Sequence, residues 1–217
     1  SISGRIAQQL YQKNSIAVQG FENTNLPDSF FDAAIGNVPF GQFKVPDKRY
    51  DKHNFLIHDY FFARTLDKVR PGGVIAFITS KGTLDKENPN VRKYIAQRAD
   101  LLGAIRLPND TFKAAAGTEV TSDIIFLQKH DRLVDIEPDW VHLATDANGI
   151  RMNAYFVDNP EMVLGDMQMV SGPHGMESAC IAYENAELGD LLRDAIQNIH
   201  AEITEFEIDD LEAEDED

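Results

Sequence analysis

The chain has 217 residues, of which 43% are hydrophobic and 26% charged, and this length is enough to bury a sizeable core. No stretch approaches the about 18 uninterrupted apolar residues of a membrane span, and the first residues lack the apolar centre of a signal peptide. The single cysteine, Cys180, excludes a disulfide within the chain and fits a reducing compartment. We therefore predict a soluble, cytoplasmic protein with no membrane partner.

The net charge of −16 is unevenly distributed along the chain. Residues 1–132 contain 18 basic and 14 acidic residues, a net charge of +4, whereas residues 133–217 contain 2 and 22, a net charge of −20. The acidity ends in EFEIDDLEAEDED, which predicts a solvated tail or, as a sharper alternative, an intramolecular DNA mimic or a partner-binding tail. The total charge therefore does not argue against a nucleic-acid partner for the N-terminal part.

Strand and helix patterns alternate through residue 129. SGRIAQQLYQK has helical spacing, SIAVQG predicts a short buried strand, and FDAAIGN predicts a strand after a polar loop. NFLIHDYFFARTLDKVRPGG is the strongest helix pattern, with Pro71-Gly72-Gly73 predicted to end it, and VIAFITS is typical of a buried strand. NPNVRKYIAQRA predicts a helix before the strand LLGAIRLP, PNDTFKAAAGTEVT predicts a loop, and SDIIFLQK predicts a strand antiparallel to LLGAIRLP. This order predicts an α/β fold with a mixed sheet.

After Asp131 the pattern changes to short strands. Turn signals at Ala147-Asn148-Gly149 and Gly172-Pro173-His174-Gly175 each separate two strand candidates, and an amphipathic helix follows. We therefore predict an α/β domain over residues 1–132, a small β-rich appendage over 133–183, a helix over 184–205 and an acidic tail over 206–217. Since the chain begins with Ser1 in a helical pattern, we also expect it to be a segment of a longer protein.

The hexapeptide GNVPFG follows the apolar run FDAAI, where the predicted strand ends. In open α/β sheets, ligands collect at the carboxyl ends of strands. The Asn37 side chain offers a carbonyl acceptor, and Pro39 fixes the backbone so that the Val38 carbonyl can point into a cleft. Two converging acceptors suit an aromatic amine.

The amine of adenine is a poor nucleophile, because its lone pair is delocalised into the ring. Acceptors that hold both N–H hydrogens favour a pyramidal nitrogen with its lone pair aimed at an electrophile. The ring of Phe40 can stack on the same base, a contact worth about 1–3 kcal/mol. A base inside a duplex cannot reach such a pocket and would have to be flipped out.

GNVPFG resembles the (D/N/S)PP(Y/F) motif of amino-methyltransferases that use S-adenosylmethionine, in particular the N6-adenine DNA methyltransferases. The ordered series FDAAIGNVPFG, VRPGGVIAFITSKGTLD, LLGAIRLPNDTF and TSDIIFLQK is similar to the modification subunits of type I restriction systems and to the methylase regions of helicase-methylase fusion proteins of mobile elements. The resemblance covers residues 1 to about 132 and continues more weakly through NAYFVDNPEMVLG.

This resemblance implies an incomplete Rossmann-like methyltransferase fold, with helices on both faces of a mixed sheet. It implies S-adenosylmethionine as cofactor, and DNA and the remainder of a longer polypeptide as partners, including a cofactor loop and a helicase region. The glycine-rich cofactor loop and the acid that binds the ribose hydroxyls are expected before Ser1. We therefore predict that these residues alone bind the cofactor weakly or not at all and are inactive.

The resemblance also assigns roles to individual residues. Asn37 and the Val38 carbonyl would accept from the adenine amine, with Pro39 and Phe40 completing the corner. Val38 replaces the first proline of the usual pair, which leaves the carbonyl in place with some loss of rigidity. Two further residues, Phe21 and Glu22, match the position that contacts the adenine of the cofactor. The alternatives are a strand-ending turn with a buried phenylalanine for the corner, and a surface acid for Glu22.

A basic loop follows the motif. Its cations and aromatic residue predict contacts to DNA phosphates beside the target base, or alternatively a solvated loop; they are Lys44, Lys48, Arg49, Tyr50 and Lys52. Lys81 and Arg106, near predicted strand ends, have the same two interpretations. The six histidines show no metal-ligand spacing, so a metal site is not expected.

Two other functions stay open from the sequence. A catalytically silent nucleic-acid-binding or scaffold module would keep the fold without the chemistry. Methylation of a glutamine amide would use a related pocket, although the basic loop and the type I-like pattern favour DNA.

Overall fold

The computed structural model describes residues 2–39, 41–172 and 175–202. The helices are α1 (Ile2–Leu10), α2 (Ile57–Lys68), α3 (Gly82–Asp85), α4 (Asn90–Ala96), α5 (Lys113–Ala116), α6 (Ala154–Asp158) and α7 (Leu188–Ile196). The strands are β1 (Phe31–Asn37), β2 (Val69–Ser80), β3 (Ala99–Leu107), β4 (Ser122–Lys129), β5 (Leu143–Thr145), β6 (Arg151–Asn153), β7 (Gly165–Gly172) and β8 (Gly175–Ala182). Short 3-10 helices lie at Phe21–Asn23, Asp51–His53, Asp139–Val141 and Pro160–Met162.

The main sheet has four strands in the order β1-β2-β4-β3. β1 runs parallel to β2, with Asn37 opposite Ile78, whereas β4 is antiparallel to both β2 and β3. The link from β3 to β4 is too short for the crossover that a parallel pair needs, so the two strands are antiparallel. The predicted α/β fold with a mixed sheet, including this antiparallel pair, is confirmed.

The central strands explain the apolar runs in the sequence. β2 and β4 each have a strand on both sides, and Ile75 and Leu127 are fully buried. Helix α2 packs on β2 and places Phe62 and Leu66 in the same core. An apolar stripe on a helix and nearly continuous apolar strands are what this layered arrangement requires.

The C-terminal part adds two hairpins. β5 pairs with β6 around a turn in which Gly149 has φ +81°, and β7 pairs with β8. Both predicted strand pairs are confirmed, although Pro173 and His174 lie outside the described residues. Phe156, Met162 and Cys180 share one hydrophobic core with the main sheet. The predicted boundary between domain and appendage therefore crosses a continuous core, and the division stays a prediction.

The predicted strand over SIAVQG is wrong, because residues 15–20 have an irregular backbone. A strand needs a neighbour to accept its hydrogen bonds, and in the described part of the chain β1 pairs only with β2. Ile16 and Val18 are half-buried, and the Ile16 carbonyl accepts from Gln8 Nε2 at 2.8 Å. The local pattern is that of a strand, but in the described part of the chain no neighbouring strand forms hydrogen bonds with this segment.

Pro71-Gly72-Gly73 does not end the strong helix. α2 ends earlier, at Lys68, and the three residues lie inside β2. Gly72 has φ +75°, a conformation that glycine adopts freely, and the β1–β2 register shifts at this point. The glycine pair therefore makes a bulge rather than a helix cap.

Two further boundaries differ from the predictions. The predicted loop PNDTFKAAAGTEVT contains the short helix α5, and the helix predicted over 184–205 is the shorter α7. Residues 203–217, with the end of that predicted helix and the acidic tail, lie outside the described residues. None of the helices in the described ranges combines the length and apolar character that crossing a membrane requires.

Candidate functional site

The predicted base-holding corner lies directly after β1. Val38 is 1% exposed, and its backbone N–H donates to the Ile78 carbonyl of β2 at 2.9 Å. This hydrogen bond holds the backbone of the corner against β2. Asn37 and Pro39 are exposed. Within the described ranges, no residue forms a hydrogen bond with the Asn37 side chain or the Val38 carbonyl. Phe40 lies outside the described residues, so its predicted stacking role stays a prediction.

A cleft of about 580 Å³ lies at the carboxyl end of β2, and Gln42, which follows the motif, lines it, whereas Asn37, Val38 and Pro39 do not. Ser80 and Lys81 line it, and Ser80 lies two residues beyond Ile78, the partner of Asn37. The opposite wall comes from Met169 and Met176 on the β7–β8 hairpin. The volume falls within the about 300–1,000 Å³ typical of small-molecule sites. The cleft and the motif therefore share one end of the sheet.

Lys81 joins the two sides of the cleft. Its Nζ donates to the Ser178 carbonyl and, at 2.9 Å, to Ser178 Oγ on β8. Burial lowers the pKa of Lys81 below its ordinary value. Both acceptors are neutral oxygens, and one of the three N–H donors of the ammonium is not used by Ser178.

A second polar group lines the cleft at the start of α2. Lys86 Nζ lies 2.7 and 3.0 Å from the carboxylate oxygens of Asp59 and 3.1 Å from His58 Nε2. Asp59 and His58 are 3% and 5% exposed. Burial lowers the pKa of His58, which favours the neutral imidazole, so Nε2 can accept from Lys86. A histidine in a helical pattern was the only sequence signal for this group.

Phe21 and Glu22, the predicted cofactor residues, lie in the 3-10 helix Phe21–Asn23. The Phe21 ring packs 5.1 Å from the ring of Phe61, and the Arg64 guanidinium lies 5.2 Å from it. Glu22 Oε1 accepts from Asn23 Nδ2 at 2.8 Å. Both residues therefore lie near α2, and neither lines the cleft of about 580 Å³.

The predicted basic loop separates into inward and outward side chains. Lys48 and Lys52 are exposed and form no ion pair with any residue of the described ranges. Lys44 donates to Asn54 Oδ1. The structure brings these lysines to the surface after the motif, as phosphate contacts would require.

The side chains of Arg49 and Tyr50 bind other residues of the protein. Arg49 pairs with Asp28 at 2.7 Å and Asp67 at 3.0 Å. Tyr50 is 4% exposed, and its hydroxyl donates to Asp67. Burial, with the Asp67 carboxylate, raises the pKa of Tyr50 above its ordinary value. The Tyr50 ring is therefore not a stacking surface here, and the predicted nucleic-acid contacts depend on the lysines.

Asp47 anchors this loop to α2, a role that the sequence did not suggest. Asp47 Oδ2 accepts from the Tyr60 hydroxyl and from Arg64 NH1, each at 2.9 Å. Its partners are 13 and 17 residues away in the chain, so no local spacing could reveal them.

Arg106 binds two carboxylates inside the protein. It is fully buried and donates to both Asp123 oxygens, at 2.8 and 3.0 Å, and to Asp85 Oδ1 at 3.0 Å. The Phe156 ring lies 4.3 Å from its guanidinium. Burial alone would lower the pKa of Arg106, but the two carboxylates raise it above its ordinary value. This network joins the sheet to the C-terminal part, and of its charged members Asp85 lines the cleft whereas Arg106 and Asp123 do not.

Comparison with known proteins identifies the family. The family model N-6 DNA Methylase matches residues 6–150, and we conclude that the chain belongs to this family, which uses S-adenosylmethionine. The chain is also 34% identical over 151 residues to "Defense against restriction protein B" of Escherichia phage P1. That match covers 67% of this chain and 7% of the phage protein.

Two solved structures resemble the chain. One is a putative class I S-adenosylmethionine-dependent methyltransferase from Listeria monocytogenes, with 25% identity, a TM-score of 0.41, and coverage of 54% of this chain and 36% of that one. The other is a modification subunit of a putative type I restriction enzyme from Vibrio vulnificus, with 14% identity, a TM-score of 0.38, and coverage of 70% and 37%. Because these scores are below 0.5 and the chain covers only 7% of the phage protein, family membership rests on the family model.

Proposed function

We propose that this chain is part of an enzyme that transfers a methyl group from S-adenosylmethionine to N6 of a flipped adenine in DNA. The observation that carries the proposal is the corner after β1. There the exposed Asn37 amide and the Val38 carbonyl lack partners among the described residues, at the same sheet end as the cleft. Membership of the N-6 DNA Methylase family supports this substrate.

The corner has the groups that the chemistry needs. Asn37 Oδ1 and the Val38 oxygen are acceptors, so together they can hold both hydrogens of an adenine amine. Holding both hydrogens localises the nitrogen lone pair and orients it, which is an effect of position and electrostatics. Burial of the Val38 side chain supplies the rigidity that a proline would supply at this position. These residues therefore position the nucleophile, and no acid or base at the corner is required.

S-adenosylmethionine supplies the electrophilic methyl group when it is bound. The residues present fit part of this cofactor, because the half-buried Glu22 carboxylate can accept from the adenine amine of the cofactor beside the Phe21 ring. The 217 residues contain no G-x-G sequence of the kind that lets a backbone approach a nucleotide cofactor closely. We therefore propose that these residues alone bind the cofactor weakly and are inactive.

DNA would be held by the basic loop. Lys48 and Lys52 extend from a loop that Asp47 and Tyr50 fix against α2. Exposed lysines on a fixed loop can contact phosphates without ordering a mobile segment. Arg49, which already pairs with two carboxylates, contributes less free charge.

The test is transfer of tritiated methyl groups to DNA by the full-length protein and by its Asn37→Ala variant. We expect a decrease in rate of about 10²–10³-fold, the usual effect of removing one preorganised polar group from a reaction centre. Asn14→Ala is the matched control, since Asn14 is also exposed but lies before β1.

Equal incorporation by wild type and Asn37→Ala would remove Asn37 from the mechanism. If the wild-type full-length protein transfers no methyl group to DNA, the silent scaffold becomes the better interpretation. Micromolar binding of the cofactor by the 217-residue chain in a calorimetric titration would contradict the proposed weak binding.

A further inference from the structure

The β7–β8 hairpin is fixed to the end of the sheet that carries the motif. In addition to the bonds from Lys81 to Ser178, the Cys180 N–H donates to Thr121 Oγ1 at 2.9 Å, and the Asn109 N–H donates to the Cys180 carbonyl at 2.8 Å. Cys180 is fully buried, so the base of β8 lies in the core. The outer part of the hairpin is thereby held over the cleft.

The strand register places two methionines on one face of this hairpin. Met169 pairs with Ser178, and Ser171 pairs with Met176. Directly paired residues, and residues two apart on one strand, point to the same side of a sheet. Met169, Ser171, Met176 and Ser178 therefore share a face, and three of the four, including both methionines, line the cleft.

Both methionines expose a large apolar surface. Met169 is 50% exposed and Met176 is 64% exposed, although methionine is ordinarily among the buried residue types. Their thioethers are polarizable and flexible, and they pack favourably against aromatic rings. An exposed pair in a cleft of about 580 Å³ is a surface suited to a flat heteroaromatic ring.

The surroundings of the methionines fit a nucleotide. Three basic residues also line the cleft, Lys81, Lys86 and Arg151, and so do two acidic ones, Asp85 and Glu177. Lys86 is paired with Asp59, and Arg151 with Glu87, whereas Lys81 donates to the two neutral oxygens of Ser178. A nucleotide has a flat ring that an apolar wall can contact, and it has ring acceptors and a phosphate that a cation can contact.

We propose that Met169 and Met176 form the wall that packs against the flat face of the adenine received by Asn37. This inference rests on the proposed function and assigns two contact residues to its site. Lys81 is a positioning residue, because its bonds to Ser178 hold the methionine wall at the end of β2.

The proposal is tested by binding of two single-stranded oligonucleotides to the full-length protein, identical except that one has an abasic site in place of its target adenine. We expect the wild type to bind the adenine oligonucleotide about tenfold more tightly. The Met169→Ser/Met176→Ser variant should lose this preference while keeping its affinity for the abasic oligonucleotide. Val170→Ser is the matched control, because it changes the opposite face of the same strand.

A Met169→Leu/Met176→Leu variant separates contact from folding. Leucine keeps the apolar wall, so it should retain most of the preference, and an unchanged unfolding midpoint shows that the hairpin is intact. A preference that survives in the serine variant, or its absence in the wild type, overturns the methionine wall. The methyl-transfer assay on the same proteins separates this proposal from the proposed function. If the wild type transfers methyl groups and the serine variant still prefers the adenine oligonucleotide, only the methionine wall is rejected.

Discussion

The two edges of the main sheet differ in how far they are covered by the rest of the chain. At the β3 edge, Ile105 is 1% exposed, Arg106 is fully buried, and the C-terminal part of the chain packs over both. At the β1 edge, Ile35 is 85% exposed and Asn37 is exposed. The chain therefore seals one side of its sheet with its own residues, and the corner proposed for catalysis lies on the open side.

The difference shows where the stability of this chain resides. The β3 side has the buried ion pair and the shared core, whereas α1, on the N-terminal side, contains no buried residue. Changes on the sealed side should alter the free energy of unfolding, and changes on the open side should alter binding and catalysis. The following predictions address this contrast.

The largest effect is expected at the buried ion pair. Arg106→Leu removes the partner of Asp123, which is fully buried, and should lower the free energy of unfolding by about 3–5 kcal/mol. The measurement is chemical denaturation followed by circular dichroism. The double variant Arg106→Leu/Asp123→Leu should recover part of this loss, because the fully buried Asp123 charge is removed, while Asp85 still lacks its Arg106 partner. A double variant as unstable as the single one would contradict the charge-based explanation.

A smaller loss is expected at Asn153, which fastens the C-terminal part to the sheet side. Its Nδ2 donates to the Leu84 and Trp140 carbonyls at 3.0 and 2.8 Å, and its Oδ1 accepts from the Tyr155 N–H at 3.0 Å. Asn153→Ala leaves these groups unpaired in a fully buried site, so we expect a loss of about 1–3 kcal/mol by the same denaturation measurement. The exposed Asn148→Ala serves as control, and an equal effect of both changes would reject the role of Asn153.

The smallest effect is expected on the open side. Ile35→Ser should change the free energy of unfolding by less than about 0.5 kcal/mol, because Ile35 is 85% exposed. Ile75→Ser, on the neighbouring strand and fully buried, should cost more than about 2 kcal/mol. A loss above about 1 kcal/mol for Ile35→Ser would show that this side is covered in solution.

Much of the sheet could be predicted because its signals are local. FDAAIGN and SDIIFLQK match β1 and β4 to the residue, since each is an apolar run between turn residues. SIAVQG had an equally good pattern but no described neighbour to pair with. A strand depends on its partner, which a short sequence window does not contain.

The candidate site was predictable only in part, for a related reason. Asn37 follows from its motif and its place after a strand. Tyr50, predicted to contact nucleic acid, is buried by a bond to Asp67, which lies 17 residues away. The methionine wall belongs to a hairpin that meets the cleft through Lys81 and Ser178, which are 97 residues apart. Contacts at such separations depend on the tertiary fold, and no sequence spacing encodes them.

The Pro71-Gly72-Gly73 bulge determines which residues of β1 and β2 lie opposite each other at the end of the sheet that carries the motif. Phe31 pairs with Val69, and if that register continued unchanged, Asn37 would lie opposite Ile75; after the bulge, it lies opposite Ile78. A Cβ on Gly73 would lie 2.8 Å from the Asp32 carbonyl, so the bulge needs glycine there. The bulge near the start of β2 thus sets the register between the motif after β1 and the cleft at the end of β2. Deleting one glycine should shift the register of β1 against β2 and so move the proposed amine-holding corner relative to the cleft.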